Sequence, residues 1–184
     1  MNSELNKLPN ILVTGTPGVG KTSFSILLTD QLNELLNNSN STITKRFNYL
    51  NVGQLILDKK LYTEWNQEYN VPEFDEDATL DEIEPLVDEG GYILDFHSAF
   101  FIPENWVKLV VLLRCDNTIL YDRLKARGYS EKKIKENIEC EIMEVTSDDV
   151  RENFPEDKIV ELHNEQNDDM MRNIEIITNK LNTC

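Results

Sequence analysis

The stretch Gly15-Thr16-Pro17-Gly18-Val19-Gly20-Lys21-Thr22-Ser23 decides the reading of this chain. It follows the apolar run Ile11-Leu12-Val13 and sets three glycines within six positions, then one lysine and two hydroxyl residues. A surface turn needs one or two glycines. The full pattern, a glycine, four residues, then Gly-Lys-Thr, is that of a loop folded around a phosphate chain. Glycines let the backbone bend inward until consecutive N–H groups face one anion. A helix opening after Gly20 adds its positive end to the same spot. Lys21 then supplies a point charge for the β- and γ-phosphates, Thr22 a magnesium ligand and Ser23 a bond to the α-phosphate. The expected binding set is Gly18, Gly20, Lys21, Thr22 and Ser23, with ATP as substrate and Mg2+ as its companion ion.

Such a loop requires a metal-holding acid on a neighbouring strand. Gly90-Gly91-Tyr92-Ile93-Leu94-Asp95-Phe96-His97 reads as that strand, with Asp95 at its carboxyl end as the second magnesium contact. The alternative for such an acid is a helix cap or a solvated loop residue. His97, two residues on, is a candidate for positioning water, metal or acceptor, and equally for plain packing. Arg123 and Arg127 lie four apart, share one helix face and suit joint contact with transferring phosphate, while Gly128 beyond them permits a hinge. The alternative is a solvated basic stripe, since Lys125, Lys132 and Lys133 are close by. Arg114, ending a buried strand in the same region, is a further candidate.

The rest of the chain alternates strand and helix. Asn10 to Gly15 reads as a buried strand, Lys21 to about Asn37 as an amphipathic helix and Phe47 to Leu50 as a second strand. Asn37 to Arg46 is polar and without a period, so a flexible insert is expected there. Asn51 opens a short helix. Residues 62 to 82 are acidic and aromatic and read as including a mobile loop. Asp77 to Glu89 reads as a helix, strained by Pro85 unless it begins near that residue. The run Trp106 to Asp116 has the unbroken Val/Leu content of a parallel strand covered on both faces. Asn117 to Gly128 and Glu131 to Val150 read as single helices, Asp157 to His163 as a last strand and Met170 to Asn182 as a closing helix. The pattern is that of an α/β layer fold with a parallel sheet.

The 184 residues suit one domain with a real core. No apolar stretch approaches the roughly 20 residues that span a bilayer, and the first ten residues lack the apolar region of a secretory signal. Cys115, Cys140 and Cys184 are too few and scattered for a disulfide framework or zinc site, which favours a reducing compartment. A formal charge of −16 argues against nucleic acid as a direct partner. It suits a basic protein tail, or serves solubility alone.

Together, Leu8 to Thr22, Tyr49 to Gly53, Asp88 to His97, Tyr121 to Lys133 and Asn137 to Ile142 closely resemble the adenylate kinase isoenzyme 6 family, the coilin-interacting nuclear ATPases. The likeness runs from about Pro9 to Val145, broken by the polar insert. It implies a P-loop nucleoside monophosphate kinase fold over residues 1–184: a five-stranded parallel sheet flanked by helices, a monophosphate-binding segment at about 51–74 and a short lid at about 126–136. It implies transfer of the γ-phosphoryl of ATP to AMP, a second activity in ATP hydrolysis, and action in nucleus and cytoplasm during maturation of the small ribosomal subunit. There the family binds a basic small-subunit ribosomal protein. By position, Arg127 would contact the ATP phosphates, Arg123 would lie near the adenine, and Asp95 and His97 would form the family's Asp-x-His motif. Lys21, Asp95, His97 and Arg127 are the catalytic set so implied.

The chain also departs from the pattern. Leu57 stands about where a family arginine is expected, leaving Lys59 and Lys60 as the nearest cations, and beyond Lys135 there is an acidic stretch in place of the arginine pair of ordinary adenylate kinases. Two other readings therefore stand beside AMP kinase: a nucleotide-gated assembly ATPase that binds a basic ribosomal protein, and a kinase for another small acceptor.

Overall fold

A computed structural model describes residues 7–38, 45–66 and 71–182. Five strands form the parallel sheet: β1 (Ile11–Thr14), β2 (Asn48–Asn51), β5 (Tyr92–Asp95), β6 (Leu109–Arg114) and β7 (Ile159–His163), in the spatial order β2-β5-β1-β6-β7. The expected five-stranded parallel sheet is thus the observed one. Side chains alternate across a strand, so Ile11, Val13, Val111 and Leu113 face one layer while Leu12, Val110 and Leu112 face the other. The unbroken apolar run of β6 follows from this two-sided burial. Helices α1 (Lys21–Asn38), α4 (Asn117–Ala126) and α7 (Asn167–Asn182) supply Phe24, Leu28, Leu120, Leu124 and Ile177 to the first layer. Helices α2 (Val52–Lys59), α3 (Glu76–Glu89) and α6 (Val145–Asn153) supply Val52, Ile83 and Val150 to the second. Each fully buried Leu, Ile or Val stabilises the fold by about 1.5–3 kcal/mol. Among the described residues no helix is long and apolar enough to cross a membrane.

Local signals set the ends. The Asn51 side chain accepts from Gln54 N to cap α2, and the Ser130 hydroxyl accepts from Lys133 N to cap α5 (Glu131–Ile142). Three details differ from the sequence reading. The acidic-aromatic stretch after Tyr62 contains an antiparallel ribbon, β3 (Tyr62–Asn66) paired with β4 (Val71–Phe74). In a two-stranded ribbon both strands are edges, so Pro72 with its missing N–H is tolerated. The part of the expected mobile loop at 67–70 lies outside the described residues. Next, α3 starts well before Pro85, because Asp75 caps it through Ala78 N and Glu76 and Asp77 complement its positive end. Finally, the single helix expected from Glu131 to Val150 is two. Glu144 adopts a left-handed φ of 56° and separates α5 from α6. Of the expected insert, Asn37 and Asn38 complete α1, and 39–44 lie outside the described residues.

Candidate active site

The carboxyl ends of β1, β2 and β5 meet at one edge, where parallel α/β sheets hold their ligands. The loop from Gly15 to Gly20 leaves β1 there and opens α1, with Phe24 N donating to Gly20 O at 3.0 Å. Two of its glycines are required by space as well as conformation. Gly15 has φ +142°, and a Cβ on it would lie 2.4 Å from the Leu113 carbonyl oxygen. Gly20 has φ +104°, and a Cβ there would meet Asn164 Nδ2 at 2.5 Å.

Lys21 folds back across the loop. Its ammonium donates to Gly15 O at 2.7 Å and Thr16 O at 3.2 Å. Burial of the ammonium end lowers its pKa to about 8, opposed by the charge of Asp95, reinforced by that of Arg127 and opposed again by Glu141. Most of the Lys21 population at neutral pH therefore keeps its charge.

Asp95 is 4% exposed, and one of its oxygens gathers three donors. Thr22 Oγ1 donates to Asp95 Oδ2 at 2.7 Å, Tyr49 OH at 2.9 Å and Asn51 Nδ2 at 3.4 Å. Asn51 also donates to Tyr49 OH at 3.1 Å. The β2–β5 register pairs Asn51 with Asp95, which brings this face of β2 to the acid. Burial, aided by the charge of Asp95 and partly offset by Asn51, raises the Tyr49 phenol above its ordinary pKa, so it remains a donor. A carboxylate and a hydroxyl side by side are hard oxygen donors of the kind magnesium takes, with phosphate oxygens and water completing its shell. Thr22 and Asp95 fit that ion.

Around these groups lies a cleft of about 290 Å³, lined also by Gly18, His97, Arg127, Tyr129 and Lys133. The Lys133 ammonium sits 4.6 Å over the Tyr129 ring. The expected Gly18, Gly20, Lys21, Thr22, Asp95, His97 and Arg127 thus share one cavity. Ser23 does not line it and is exposed in the first turn of α1. Arg123 parts company with Arg127: its guanidinium donates to the carbonyls of Val19, Asn164 and Glu165 at 3.3, 3.0 and 2.6 Å, and to Cys115 Sγ. It braces the underside of the loop. Arg114 likewise turns away from the cleft, onto Glu141, Glu144 and Glu161.

The ring of His97 lies 4.6 Å from that of Phe96. The residue is exposed on the cleft wall, with protein packed about its ring. That enclosure, with the charge of Lys21, lowers its pKa to about 4, so it is neutral at physiological pH. His97 also lines a second cavity of about 380 Å³, shared with Asn51 and Phe96 and otherwise walled by Gln54, Ile56, Leu57 and Phe74. No lysine or arginine is among the described residues lining it. Lys59 instead pairs with Glu82 at 3.2 Å, and Lys60 ends α2 in a left-handed turn. A larger cavity, about 530 Å³, opens beside Lys7, Arg46 and Gly90 near the start of β2, without a phosphate loop or strand-end acid.

A family profile described as an AAA domain matches residues 11–144. The chain is 39% identical over 176 residues to the adenylate kinase isoenzyme 6 homologue of Caenorhabditis elegans, covering 95% of this chain and 90% of that one. The chain belongs to the adenylate kinase isoenzyme 6 family. A homologue of the same name from Saccharomyces cerevisiae is 39% identical, covering 90% of this chain and 78% of that one. Among solved structures, a shikimate kinase from Acinetobacter baumannii superposes with TM-score 0.62 over 98% of this chain and 97% of its own, at 18% identity. That likeness shows a shared P-loop kinase fold. Family and fold support a nucleotide kinase function.

Sequence reasoning passed over Tyr49, Asn51, Glu141 and Asn164. The first two stand at alternate positions of one strand, a polar pair facing one side, and that signal was available. Glu141 is masked by the charges around it in α5. Asn164, whose Nδ2 donates to Val19 O at 2.9 Å, carries no sequence signal.

Proposed function

We propose that this chain binds Mg·ATP in the phosphate-loop cleft and transfers its γ-phosphoryl group to AMP, giving two ADP, with ATP hydrolysis as a second activity. The observation that carries this reading is the convergence of Lys21, the Thr22–Asp95 pair and Arg127 on one cavity, in a family whose curated members are named adenylate kinase isoenzyme 6 homologues. Phosphoryl transfer asks little covalent chemistry of a protein and much positioning and charge neutralisation. Lys21 and Arg127 supply the positive charge, and the loop amides orient the phosphates. Thr22 and Asp95 would hold magnesium, which when bound neutralises charge on the β- and γ-phosphates. His97 borders both cavities and is neutral, so it serves an acceptor oxygen through a hydrogen bond.

A second reading is favoured by the neighbouring cavity, where no lysine or arginine is among the described lining residues. A phosphate monoester carries nearly two charges and binds where arginine or lysine meets it, yet the described lining here is Ile56, Leu57, Phe74 and Phe96 with the neutral polar groups of Asn51, Gln54 and His97. On this reading water is the main acceptor, and the chain is a nucleotide-gated assembly ATPase for the small ribosomal subunit, working in nucleus and cytoplasm. Its acidic surface would receive a basic ribosomal protein, and nucleotide and partner would then alter each other's affinity by the same factor.

One experiment separates the two. The protein is mixed with Mg·ATP and each nucleoside monophosphate, and ADP and inorganic phosphate are followed together. AMP-dependent ADP without phosphate supports the kinase. Phosphate release that is indifferent to AMP and stimulated by a basic ribosomal protein supports the ATPase. Lys21→Ala should abolish both, and retained turnover would contradict its role.

A further inference from the structure

Glu141 is a carboxylate buried to 4% exposure beneath a site built for polyphosphate, and the chemistry described so far does not use it. All its near partners are structural and lie on different elements. Its Oε2 accepts from Thr16 Oγ1, in the phosphate loop, at 2.5 Å. Its Oε1 accepts from Arg114 Nε at 2.7 Å and from Cys115 N at 3.3 Å, just past β6. Arg114 Nη2 returns to the Glu141 carbonyl at 3.1 Å. Thr16 is itself 1% exposed, and its carbonyl accepts from Val19 N at 3.3 Å and Lys21 Nζ at 3.2 Å. Hydrogen bonds therefore link Arg114 to Glu141 and Glu141 to the Thr16 hydroxyl, and the carbonyl of the same threonine meets the lysine of the loop.

An acid at this depth repels the anion the loop is shaped to hold, and Arg114 offsets that charge only in part, since Arg114 also faces Glu144 and Glu161. A neutral or apolar residue would fill the space without that cost, and buried ion pairs rarely improve stability over apolar packing. The carboxylate supplies what such residues lack: a strong acceptor for the Thr16 hydroxyl, and a negative charge near the enclosed ammonium of Lys21. It also sits at the far end of α5, whose first turn carries Lys133 into the ATP cleft.

We propose that Glu141 is a positioning residue of the phosphate loop, holding Thr16 so that the loop carbonyls and Lys21 keep the geometry that receives the triphosphate, and tying the last turn of α5 to that loop. The proposal rests on the reading that this cleft binds Mg·ATP. The groups whose charges reach Lys21 are Asp95 from β5, Arg127 from the end of α4 and Glu141 from α5. Removing the Glu141 charge leaves the ammonium with one fewer anion beside it.

The test uses the full chain with Thr16→Val, Thr16→Ser and Glu141→Gln, measuring Mg·ATP affinity by calorimetry, turnover, and the urea unfolding midpoint. Thr16→Val should weaken Mg·ATP binding about tenfold, the scale of one charge-assisted hydrogen bond. Thr16→Ser, which restores the hydroxyl, should bring affinity back to within about twofold of the parent. In Glu141→Gln, where a neutral amide replaces the carboxylate that holds the Thr16 hydroxyl, Mg·ATP binding should weaken about threefold. If Thr16→Val binds Mg·ATP like the parent while unfolding at lower urea, Glu141 is only a structural tie and the proposal fails. Should Glu141→Gln not fold, the valine and serine pair decides alone. If the parent chain itself does not bind Mg·ATP, the underlying functional reading falls, and that result is distinct from a parent that binds and variants that match it.

Discussion

Replacing Gly15 by alanine tests whether the loop's shape is imposed by the strand beside it. Two costs apply. The residue has φ +142°, where an L side chain is strained, at about 1–2 kcal/mol. The new methyl would also lie 2.4 Å from the Leu113 carbonyl oxygen and 2.9 Å from Val19 Cγ2, whereas ordinary contact begins at 3.4 Å. The Leu113 oxygen belongs to β6 in the middle of the sheet and is not free to give way, so an overpacking cost of about 1–3 kcal/mol is added. The expected loss is about 3 kcal/mol, or roughly 6–12 °C in melting temperature for a chain of this size. Gly128→Ala is the control. Its φ of +74° carries backbone strain, but no atom lies within 4 Å of the new methyl, so it should cost only about 1 kcal/mol. Urea denaturation of both variants, with slopes matching the parent, isolates the steric part. If the two variants unfold within experimental error of each other, the β6 carbonyl does not shape the loop.

Three further outcomes are expected. His97 is neutral in the fold down to about pH 4 but takes a proton near 6.5 when unfolded. Between those values the unfolded chain binds more protons, so this group's contribution to stability is lost as pH falls from 6.5 toward 4; His97→Gln should remove that slope from urea midpoints measured across the range. Lys21, with its pKa lowered to about 8, should take up a proton as the triphosphate restores a strongly anionic surrounding; at pH 8.5 the calorimetric heat of ATP binding should then vary with the ionisation enthalpy of the buffer, and invariance would contradict the assignment. Leu57, 40% exposed on the wall of the apolar cavity, can be changed to arginine without filling the core. A guanidinium there should lower the KM for AMP about tenfold, and an unchanged KM would remove that cavity from the acceptor side.

The sheet was legible because its signals are local. Apolar runs on Ile11 to Val13 and Leu109 to Leu113, the loop glycines and the strand-end Asp95 each state their own environment. The β3–β4 ribbon was hidden because its polar, aromatic strands lack the alternation of a half-buried sheet. The break at Glu144 was hidden because nothing short of a left-handed backbone marks it, and glutamate gives no warning of that. Arg123 and Arg127 share a helical stripe, but the sequence did not disclose that carbonyls of Asn164 and Glu165 would claim one and leave the other at the cleft. Long-range partners of this kind turn Arg123 and Arg114 away from the cleft.

The amide of Asn164 reaches the loop from 145 positions downstream. A ribosome therefore finishes the glycine-rich motif early in translation yet completes its support only when β7 has joined the edge of the sheet. Chains cut short of β7 would carry the glycine-rich motif without the Asn164 amide that ties it to the edge of the sheet.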